Sequence, residues 1–330
     1  MSDIAQAAGV SSASVSYALN GSPGVGPEVR ERILKIADEL GFRPSRLARE
    51  LRTGASSTIG LLLADIANPF YTEVAAGVVA ATADEGFEVF VSHVGGGRQR
   101  QADAALAHVD RNCSGLILTS LVDADRPLLT KLERERVPFV QLYRRLEGVS
   151  ADWVGIDDRA AGVEIALHML ASGRRRIAVL GGPQESSATS NRVSGFREAL
   201  HQAGVQALNE PEVWGDFTRQ SGAMRARAVL ARHPDVDGII CSNDVIAVGV
   251  MDVCRETGRS VPEDVALSGF DDMSFSSAGP LQLTTVTVPR EALGRRAAQL
   301  LLRRIAGDDG PPRAEQLPYE LRIRATTAVH

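Results

Sequence analysis

Residues 58–71, with the sequence TIGLLLADIANPFY, combine two adjacent structural signals. The first half is a nearly continuous apolar run, which is the pattern of a β-strand covered on both faces. In the second half Pro69 suits the first position of a helix, and Asn68 can cap that helix through its side chain. The stretch therefore predicts a strand that leads directly into a helix, with Phe70 and Tyr71 on the first helical turn.

The alternation of apolar runs with helix-length amphipathic stretches, such as 70–86 and 158–172, continues through the rest of the chain. This alternation indicates βαβ units and parallel sheets with helices on both faces. These βαβ units are too many for one small sheet, and we therefore expect an α/β core of two similar lobes. The predicted strands are 58–66, 88–94, 115–120, 138–143, 177–182, 238–243, 265–270 and 284–288.

Polar and aromatic residues follow the carboxyl ends of several predicted strands, where parallel sheets bind ligands. Besides Phe70 and Tyr71, the pairs are Tyr143–Arg144, Asn243–Asp244 and Asp271–Asp272. Because these residues gather at one edge of both lobes, we expect a small polar ligand to bind between the lobes.

Residues 1–20, MSDIAQAAGVSSASVSYALN, have the pattern of a helix-turn-helix. The small Ala5 lets two helices cross closely, Gly9 suits the turn, and Ser11 can cap the second helix. The apolar residues expected to hold the second helix are Val10, Val15 and Leu19. A small helical hairpin with no role in DNA binding is the alternative interpretation.

The composition is that of a globular protein. The chain has 330 residues, of which 44% are hydrophobic and 23% charged, and its mean hydropathy is −0.05. These values exclude disordered, collagenous and membrane-embedded classes. The formal net charge of −5 hides a local basic segment at 43–52, where four arginines face one glutamate.

The absence of other sequence signals narrows the function further. No apolar run approaches the length of about 20 residues that spans a bilayer, and the N-terminal residues lack the charged segment followed by an apolar segment of a signal peptide, so we expect a cytoplasmic protein. The three cysteines lack metal-ligand spacing. No nucleophile elbow or catalytic carboxylate cluster is present, and the glycine clusters lack phosphate-loop residues. We therefore expect no enzymatic activity and no cofactor or metal.

Six motifs in order make a family resemblance specific, and the chain resembles the LacI/GalR family of bacterial transcription regulators from residue 1 to about 327. The motifs are AxxAGVSxxxVSxxLN (5–20), ELGFRPSRLARELRTG (39–54), TIGLLLADIANPFY (58–71), RVSGFREAL (192–200), SNDVIAVG (242–249) and SGFDD (268–272).

The resemblance implies three segments. They are a helix-turn-helix DNA-binding domain at 1–45, a hinge helix and linker at 46–57, and an effector-binding and dimerisation core at 58–330. The core resembles periplasmic binding proteins, with parallel sheets in both lobes. The implied first lobe comprises about 58–157 and 289–318, and the second comprises about 158–288 and 319–330.

The family's DNA contacts carry over to the matching positions of this chain. Ser12, Ala13 and Tyr17 are implied to contact base edges, and Ser11, Ser16 and Asn20 to contact phosphates. Leu51 matches the leucine that the family inserts into the minor groove, with Arg46 and Arg49 neutralising phosphates beside it. Many members have arginine where this chain has Tyr17, so the base read at that position is expected to differ.

The effector-binding residues carry over in the same way, and they suit a hydroxylated ligand. Arg192 offers a rigid fork of donors, Asp271 offers acceptors, and the aromatic side chains offer flat faces. Arg192 and Asp271 could instead pair with each other. Tyr143 stands where sugar-responsive members often have aspartate, which disfavours a plain monosaccharide. The implied residues are Phe70, Tyr71, Thr119, Tyr143, Arg192, Phe217, Asn243 and Asp271.

The resemblance implies a homodimeric repressor of a catabolic operon that binds palindromic double-stranded DNA and responds to a small, sugar-like effector. A nucleoside, a base or another non-sugar metabolite is the alternative effector. A solute-binding protein is the alternative from another functional class, and the helix-turn-helix pattern argues against it.

Overall fold

The computed structural model describes residues 1–19, 23–42, 56–95, 98–208, 213–279 and 281–328. The chain divides into two compact units, Met1–Ser56 and Ser57–His330. We call the first unit the head and the second the core. Most of the predicted hinge segment, residues 46–55, lies outside the described residues, as do the expected DNA contacts Asn20, Arg46, Arg49 and Leu51.

The head consists of α1 (Ser2–Ala8), α2 (Ser12–Leu19) and α3 (Pro27–Glu39). Gly9 ends α1 in the left-handed conformation, with φ of 64°, which glycine adopts without steric cost. The turn predicted there is therefore confirmed. Pro27 begins α3 at a position where a missing N–H costs nothing. The small core that joins the three helices contains Ile4, Ala5, Ala8, Val15, Ala18, Ile33 and Ala37.

The first sheet of the core has six strands in the order β10-β5-β4-β3-β1-β2, with every pairing parallel. Its strands are β1 (Thr58–Leu63), β2 (Glu88–His93), β3 (Leu116–Leu118), β4 (Phe139–Leu142), β5 (Asp152–Gly155) and β10 (Ala314–Gln316). The helices that belong to this part of the core are α4 (Pro69–Ala83), α5 (Arg98–Asp110), α6 (Arg126–Arg134) and α11 (Arg290–Ile305).

The second sheet is parallel and has three strands in the order β6-β7-β8. Its strands are β6 (Ile177–Leu180), β7 (Gly238–Cys241) and β8 (Ala266–Ser268). The helices of this part are α7 (Asp158–Ala171), α8 (Ser187–Gln202), α9 (Arg219–Arg232) and α10 (Asp244–Glu256). The α/β fold with parallel sheets is thus as predicted.

One part of the architecture differs from the parallel arrangement expected for both lobes. β9 (Thr285–Thr287) pairs antiparallel with β11 (Glu320–Arg322) and forms a separate ribbon. The strands β5, β10 and β11 were not predicted. β10 and β11 are only three residues long and read AEQ and ELR, so neither carries the apolar run by which a strand is identified.

Glycines allow the backbones of three pairs of core helices to come into contact. A Cβ on Gly77 of α4 would lie 2.0 Å from the carbonyl oxygen of Glu291 in α11. A Cβ on Gly162 of α7 would lie 2.5 Å from the carbonyl oxygen of Arg192 in α8. Because a real Cβ does not come so close to a backbone oxygen, only glycine permits these crossings. The third pair joins α9 to α10 through Gly222 and Gly249.

No helix among the described residues is long and apolar enough to span a bilayer.

Candidate functional site

Two adjacent spaces lie at the carboxyl ends of strands from both sheets. The first, which we call the inner chamber, contains seven of the eight effector residues implied by the resemblance. Its lining is Asn68, Phe70, Tyr71, Tyr143, Arg144, Ser186, Ala188, Arg192, Phe217, Asn243 and Asp271. The structure therefore brings residues from six separate chain segments to one place.

Helix caps fix two sides of the inner chamber. The Asn68 side chain accepts a hydrogen bond from the Phe70 N–H at 3.0 Å, which confirms the cap predicted at the start of α4. Asn243 caps α10 in the same way and accepts from the Ile246 N–H at 2.9 Å. Because this bond uses the Asn243 carbonyl oxygen, its amide group keeps two donors for other partners.

Arg192 is the centre of a buried polar network. Its Nε donates to Oδ1 of Asp158 at 2.8 Å, and its Nη2 lies 3.3 Å from Oδ1 of Asp271. The same guanidinium donates to the Tyr143 hydroxyl and the Ser242 carbonyl oxygen. The pairing of Arg192 with Asp271 that the sequence left open is therefore present in this structure. Because protein groups already accept from all three of its nitrogens, a ligand at Arg192 would compete with them.

The acidic side chains around Arg192 have perturbed ionisation. Burial raises the pKa of Asp271 to about 6, against the opposing effect of Arg192. Burial, together with the nearby Asp271, raises the pKa of Asp158 well above its usual range. Asp158 was not among the predicted site residues, because Asp157 and Asp158 after β5 resemble an ordinary helix start. Its contact with Arg192 arises because α7 and α8 pack side by side in the fold.

Aromatic rings form the apolar wall of the inner chamber. The ring centroid of Phe70 lies 4.8 Å from that of Tyr143 and 5.1 Å from that of Tyr71. Burial raises the pKa of the Tyr71 hydroxyl, with Arg144 acting in the opposite direction. Phe217 packs over Gly182, where a Cβ would meet the ring at 2.2 Å. The wall therefore offers flat apolar faces beside the donors of Arg192.

Thr119 is the one implied effector residue that does not line either chamber. Its hydroxyl donates to the Leu62 carbonyl oxygen at 2.9 Å, and the Thr119 hydroxyl oxygen accepts from the Ala64 N–H at 3.2 Å. The side chain therefore ties β3 to the end of β1. The structure gives it a role in holding the strand ends together.

Arg290 connects Asp271 to the opposite wall of the chamber. It donates to the backbone carbonyl oxygens of Asp271 and Asp272 and to the Glu73 carboxylate, the latter at 2.9 Å. Glu73 lies on α4, which also carries Phe70 and Tyr71. Arg290 therefore links the backbone of Asp271 to the helix that supplies the aromatic wall.

The inner chamber has little free volume, and a larger space adjoins it. The inner chamber holds a cavity of about 20 Å³, enough for about one water molecule. The adjoining space, which we call the outer chamber, has a volume of about 380 Å³. Its lining is Ala64, Asp65, Asn68, Tyr71, His93, Gly95, Arg144, Pro183, Glu185, Asp216, Phe217 and Thr218. The two chambers share Asn68, Tyr71, Arg144 and Phe217 in their linings.

A buried carboxyl next to the site gives the core a pH-dependent stability. Asp244 accepts hydrogen bonds from Ser276, Thr285 and the Met273 N–H, yet burial and the nearby Asp271 raise its pKa to about 7. The folded state therefore binds a proton that the unfolded state releases near pH 4. The contribution of this proton to the free energy of unfolding is fully present below pH 4 and is lost as the pH rises through 7.

Replacing Asp244 with asparagine is expected to remove that pH dependence. Between pH 5 and 7, the free energy of unfolding of the wild type should fall relative to Asp244→Asn by about 1.4 kcal/mol per pH unit. Urea denaturation at several pH values measures this difference. Parallel pH profiles of the two proteins would show that Asp244 stays ionised in the folded state.

The head places its predicted DNA-contacting residues on an exposed helix face. The Ser11 hydroxyl accepts from the Ser14 N–H at 3.1 Å and so caps α2, as predicted. Ser12 and Ala13 are exposed in the first turn of α2, Tyr17 is 48% exposed, and Ser16 is half-buried. The first turn and the Tyr17 ring are therefore accessible for contact with another molecule.

Comparison with known proteins decides the family. A model of the lacI family of bacterial regulatory proteins matches residues 1–45, and a model of the periplasmic binding protein-like domain matches residues 166–327. The transcriptional regulator CelR of Thermobifida fusca is 36% identical over 97% of this chain and 96% of its own length. This chain belongs to the LacI family. It is a transcriptional regulator with a helix-turn-helix DNA-binding head.

Solved structures of LacI-family proteins match the chain over nearly its full length. A Lac repressor dimer bound to operator and the anti-inducer ONPF has a TM-score of 0.90 and 25% identity, covering 99% of this chain and 98% of that one. A complex of CelR with cellobiose has a TM-score of 0.75 and 32% identity, covering 98% of both chains. The repressor CytR of Escherichia coli is 28% identical over 99% of this chain and 96% of its own length.

Proposed function

We propose that this LacI-family protein acts in the cytoplasm as a homodimeric repressor of a catabolic operon and is controlled by a small carbohydrate in the inner chamber. The observation that carries the proposal is the Arg192 fork, which stands beside the rings of Phe70 and Phe217 at the strand ends of both lobes. This combination suits a ring with several hydroxyl groups, because flat apolar faces bind the ring and a fork of donors binds adjacent oxygens.

The contacts of Arg192 suggest how such a ligand binds. The Tyr143 hydroxyl accepts a hydrogen bond from Nη2 of Arg192, and Oδ1 of Asp271 lies 3.3 Å from the same nitrogen. A ligand hydroxyl can replace the Tyr143 hydroxyl without leaving a buried donor unpaired. The Asp271 carboxylate then accepts from a second hydroxyl. CelR, a relative of this chain, is known in complex with cellobiose, which supports a carbohydrate effector.

A nucleobase or nucleoside is the second candidate effector. The rings of Phe70 and Phe217 would stack equally well on a base, and the Asn243 side chain carries both hydrogen-bond donors and an acceptor. The transcriptional repressors PurR and CytR are relatives of this chain, each 28% identical to it. The two classes differ in their polar edges, so a direct comparison of sugars with bases separates them.

The coupling to DNA follows from the contacts of Asp271. A ligand that binds Asp271 acts on Arg290, and through Arg290 on Glu73 and α4. Such a ligand shifts the equilibrium between two arrangements of the lobes by the difference in its affinity for them. Coupling energies between sites are commonly about 1–3 kcal/mol, so we expect a change in operator affinity of about 5–150-fold.

A thermal-shift screen of the full chain against sugars, polyols, nucleosides and bases tests the effector class. A true effector should stabilise the core by about 2.7 kcal/mol at a hundredfold excess over its Kd. Asp271→Asn should lose most of this stabilisation while folding normally, since asparagine tolerates the φ of 103° found at this position. A carbohydrate that stabilises both proteins equally would place the effector site elsewhere.

Leu51→Ala tests the role in DNA binding that the family resemblance assigns to the hinge segment. A leucine that enters the minor groove adds affinity only where the duplex kinks, so its loss should weaken binding to the specific operator about tenfold or more. Binding to random duplex should change little, because it depends on phosphate contacts. Fluorescence anisotropy at a fixed salt concentration measures both affinities. Equal losses on the two DNAs would contradict a wedge function for Leu51.

A further inference from the structure

Arg144 is a buried guanidinium without a carboxylate partner. It lines both the inner and the outer chamber, and only 9% of its surface is exposed. Its Nη1 reaches the Ser120 carbonyl oxygen at the long distance of 3.4 Å, and its side chain also hydrogen-bonds the Tyr71 hydroxyl. No carboxylate of the described chain lies within ion-pair distance of it. Buried charges in proteins are normally paired, because burial removes the solvation of the ion. A cation of this kind in a ligand site has donors available for an anionic group.

The N-terminus of α8 provides a second group of donors in the same chamber. Within the described chain, the N–H groups of Ser187, Ala188 and Thr189 have no hydrogen-bond partner, and no side chain caps this helix. The Ser186 hydroxyl is completely buried, lines the inner chamber and likewise has no partner among the described residues. The start of a helix carries a partial positive charge and binds carboxylates and phosphates.

Arg144 and the start of α8 are held next to each other. The N–H of Arg145 donates to the Ser187 hydroxyl at 2.9 Å, which joins the segment after β4 to the first turn of α8. Asp65, Glu185 and Asp216 line the outer chamber, where solvent screens them. The inner chamber therefore presents two guanidinium groups and a helix N-terminus against the single lining carboxyl of Asp271.

We propose that the effector carries an oxyanion, a carboxylate or a phosphate, that binds between Arg144 and the first turn of α8. The hydroxyl groups of the same ligand reach Arg192 and Asp271 on the other side of the chamber. This inference rests on the proposed function, and it narrows the effector to acidic or phosphorylated sugars. The Ser186 hydroxyl donates to the oxyanion and thereby gains the partner that it lacks.

Inorganic phosphate is the first probe, because it carries the oxyanion without depending on the sugar. The melting midpoint of the full chain is measured in phosphate and in chloride at equal ionic strength. The measurement is made for the wild type, Arg144→Gln and the matched control Arg145→Gln, whose side chain is exposed. Phosphate should bind the wild type and the control about tenfold or more tightly than Arg144→Gln. Equal stabilisation of all three proteins, or of none, overturns the proposal.

The stability in chloride separates a ligand-binding role from a structural one. Arg144→Gln removes an unpaired buried charge, so its melting midpoint without ligand should equal or exceed that of the wild type. A clear decrease would show that Arg144 holds the fold, and it would overturn the assignment.

Comparing gluconate, glucose 6-phosphate and glucose then distinguishes a carboxylate from a phosphate. Operator binding by the same preparations is measured in parallel. If neutral glucose binds best while operator binding is intact, the oxyanion subsite is wrong and the proposed function stands. If no operator can be selected, the proposed function fails whatever phosphate does.

Discussion

Replacing Arg192 with methionine is expected to lower the free energy of unfolding of the core by about 3–5 kcal/mol at pH 7 or above. The substitution keeps most of the hydrocarbon but leaves Asp158 and Asp271 as neighbouring buried carboxyls without a counter-charge. Because burial raises the pKa of both groups, the loss should shrink at pH 5, where they take up protons.

Urea denaturation followed by tryptophan fluorescence measures this loss selectively. Both tryptophans of the chain, Trp153 and Trp214, lie in the core, so the signal does not report on the head. The matched control is Arg159→Met, which breaks an exposed pair with Glu198 and should cost at most about 1 kcal/mol. The double variant Arg192→Met with Asp158→Asn should recover part of the loss. A single variant as stable as the control would contradict the buried network.

Gly162→Ala is expected to destabilise the core by about 2–3 kcal/mol, even though alanine is the better helix former by about 1 kcal/mol. The new Cβ would lie 2.5 Å from the Arg192 carbonyl oxygen, so α7 and α8 would have to separate. That movement also pulls Arg192 of α8 away from Asp158 of α7. The variant should therefore lose ligand-dependent stabilisation as well as stability.

The same fluorescence measurement, with Leu167→Ala as the control, tests the crossing of α7 and α8. Leu167 lies on the same helix but is 51% exposed, so its truncation should change the free energy of unfolding by less than about 1 kcal/mol. A Gly162→Ala protein as stable as this control would show that the two helices tolerate a wider separation.

The sequence predicted the main strands and helix starts because their signals are local. The apolar run 58–66 and the Asn68–Pro69 pair each specify structure through neighbouring residues, and the structure has β1 and the cap of α4 at these positions. β10 has no such signal, since its three residues pair with β5 from a distant part of the chain. Its position is a consequence of the assembled sheet.

The site shows the same division between local and assembled features. Strand ends and the family motifs pointed to Arg192 and Asp271, which line the chamber. Asp158 could not be identified as their partner, because it lies on another helix and 34 residues before Arg192 in the chain. Thr119 also follows a strand, but its hydroxyl is bound to the Leu62 carbonyl oxygen. A position after a strand therefore indicates the edge of the sheet, while the direction of the side chain depends on packing.

Operator affinity shows whether a ligand in the inner chamber controls DNA binding. An operator selected from a random duplex pool is titrated with the full chain at fixed salt, with and without the compound that raises its melting midpoint. We expect the compound to change the operator Kd by about 5–150-fold, and Asp271→Asn to remove the change. A compound that stabilises the core through Asp271 and leaves the operator Kd unchanged would show that the inner chamber does not control DNA binding.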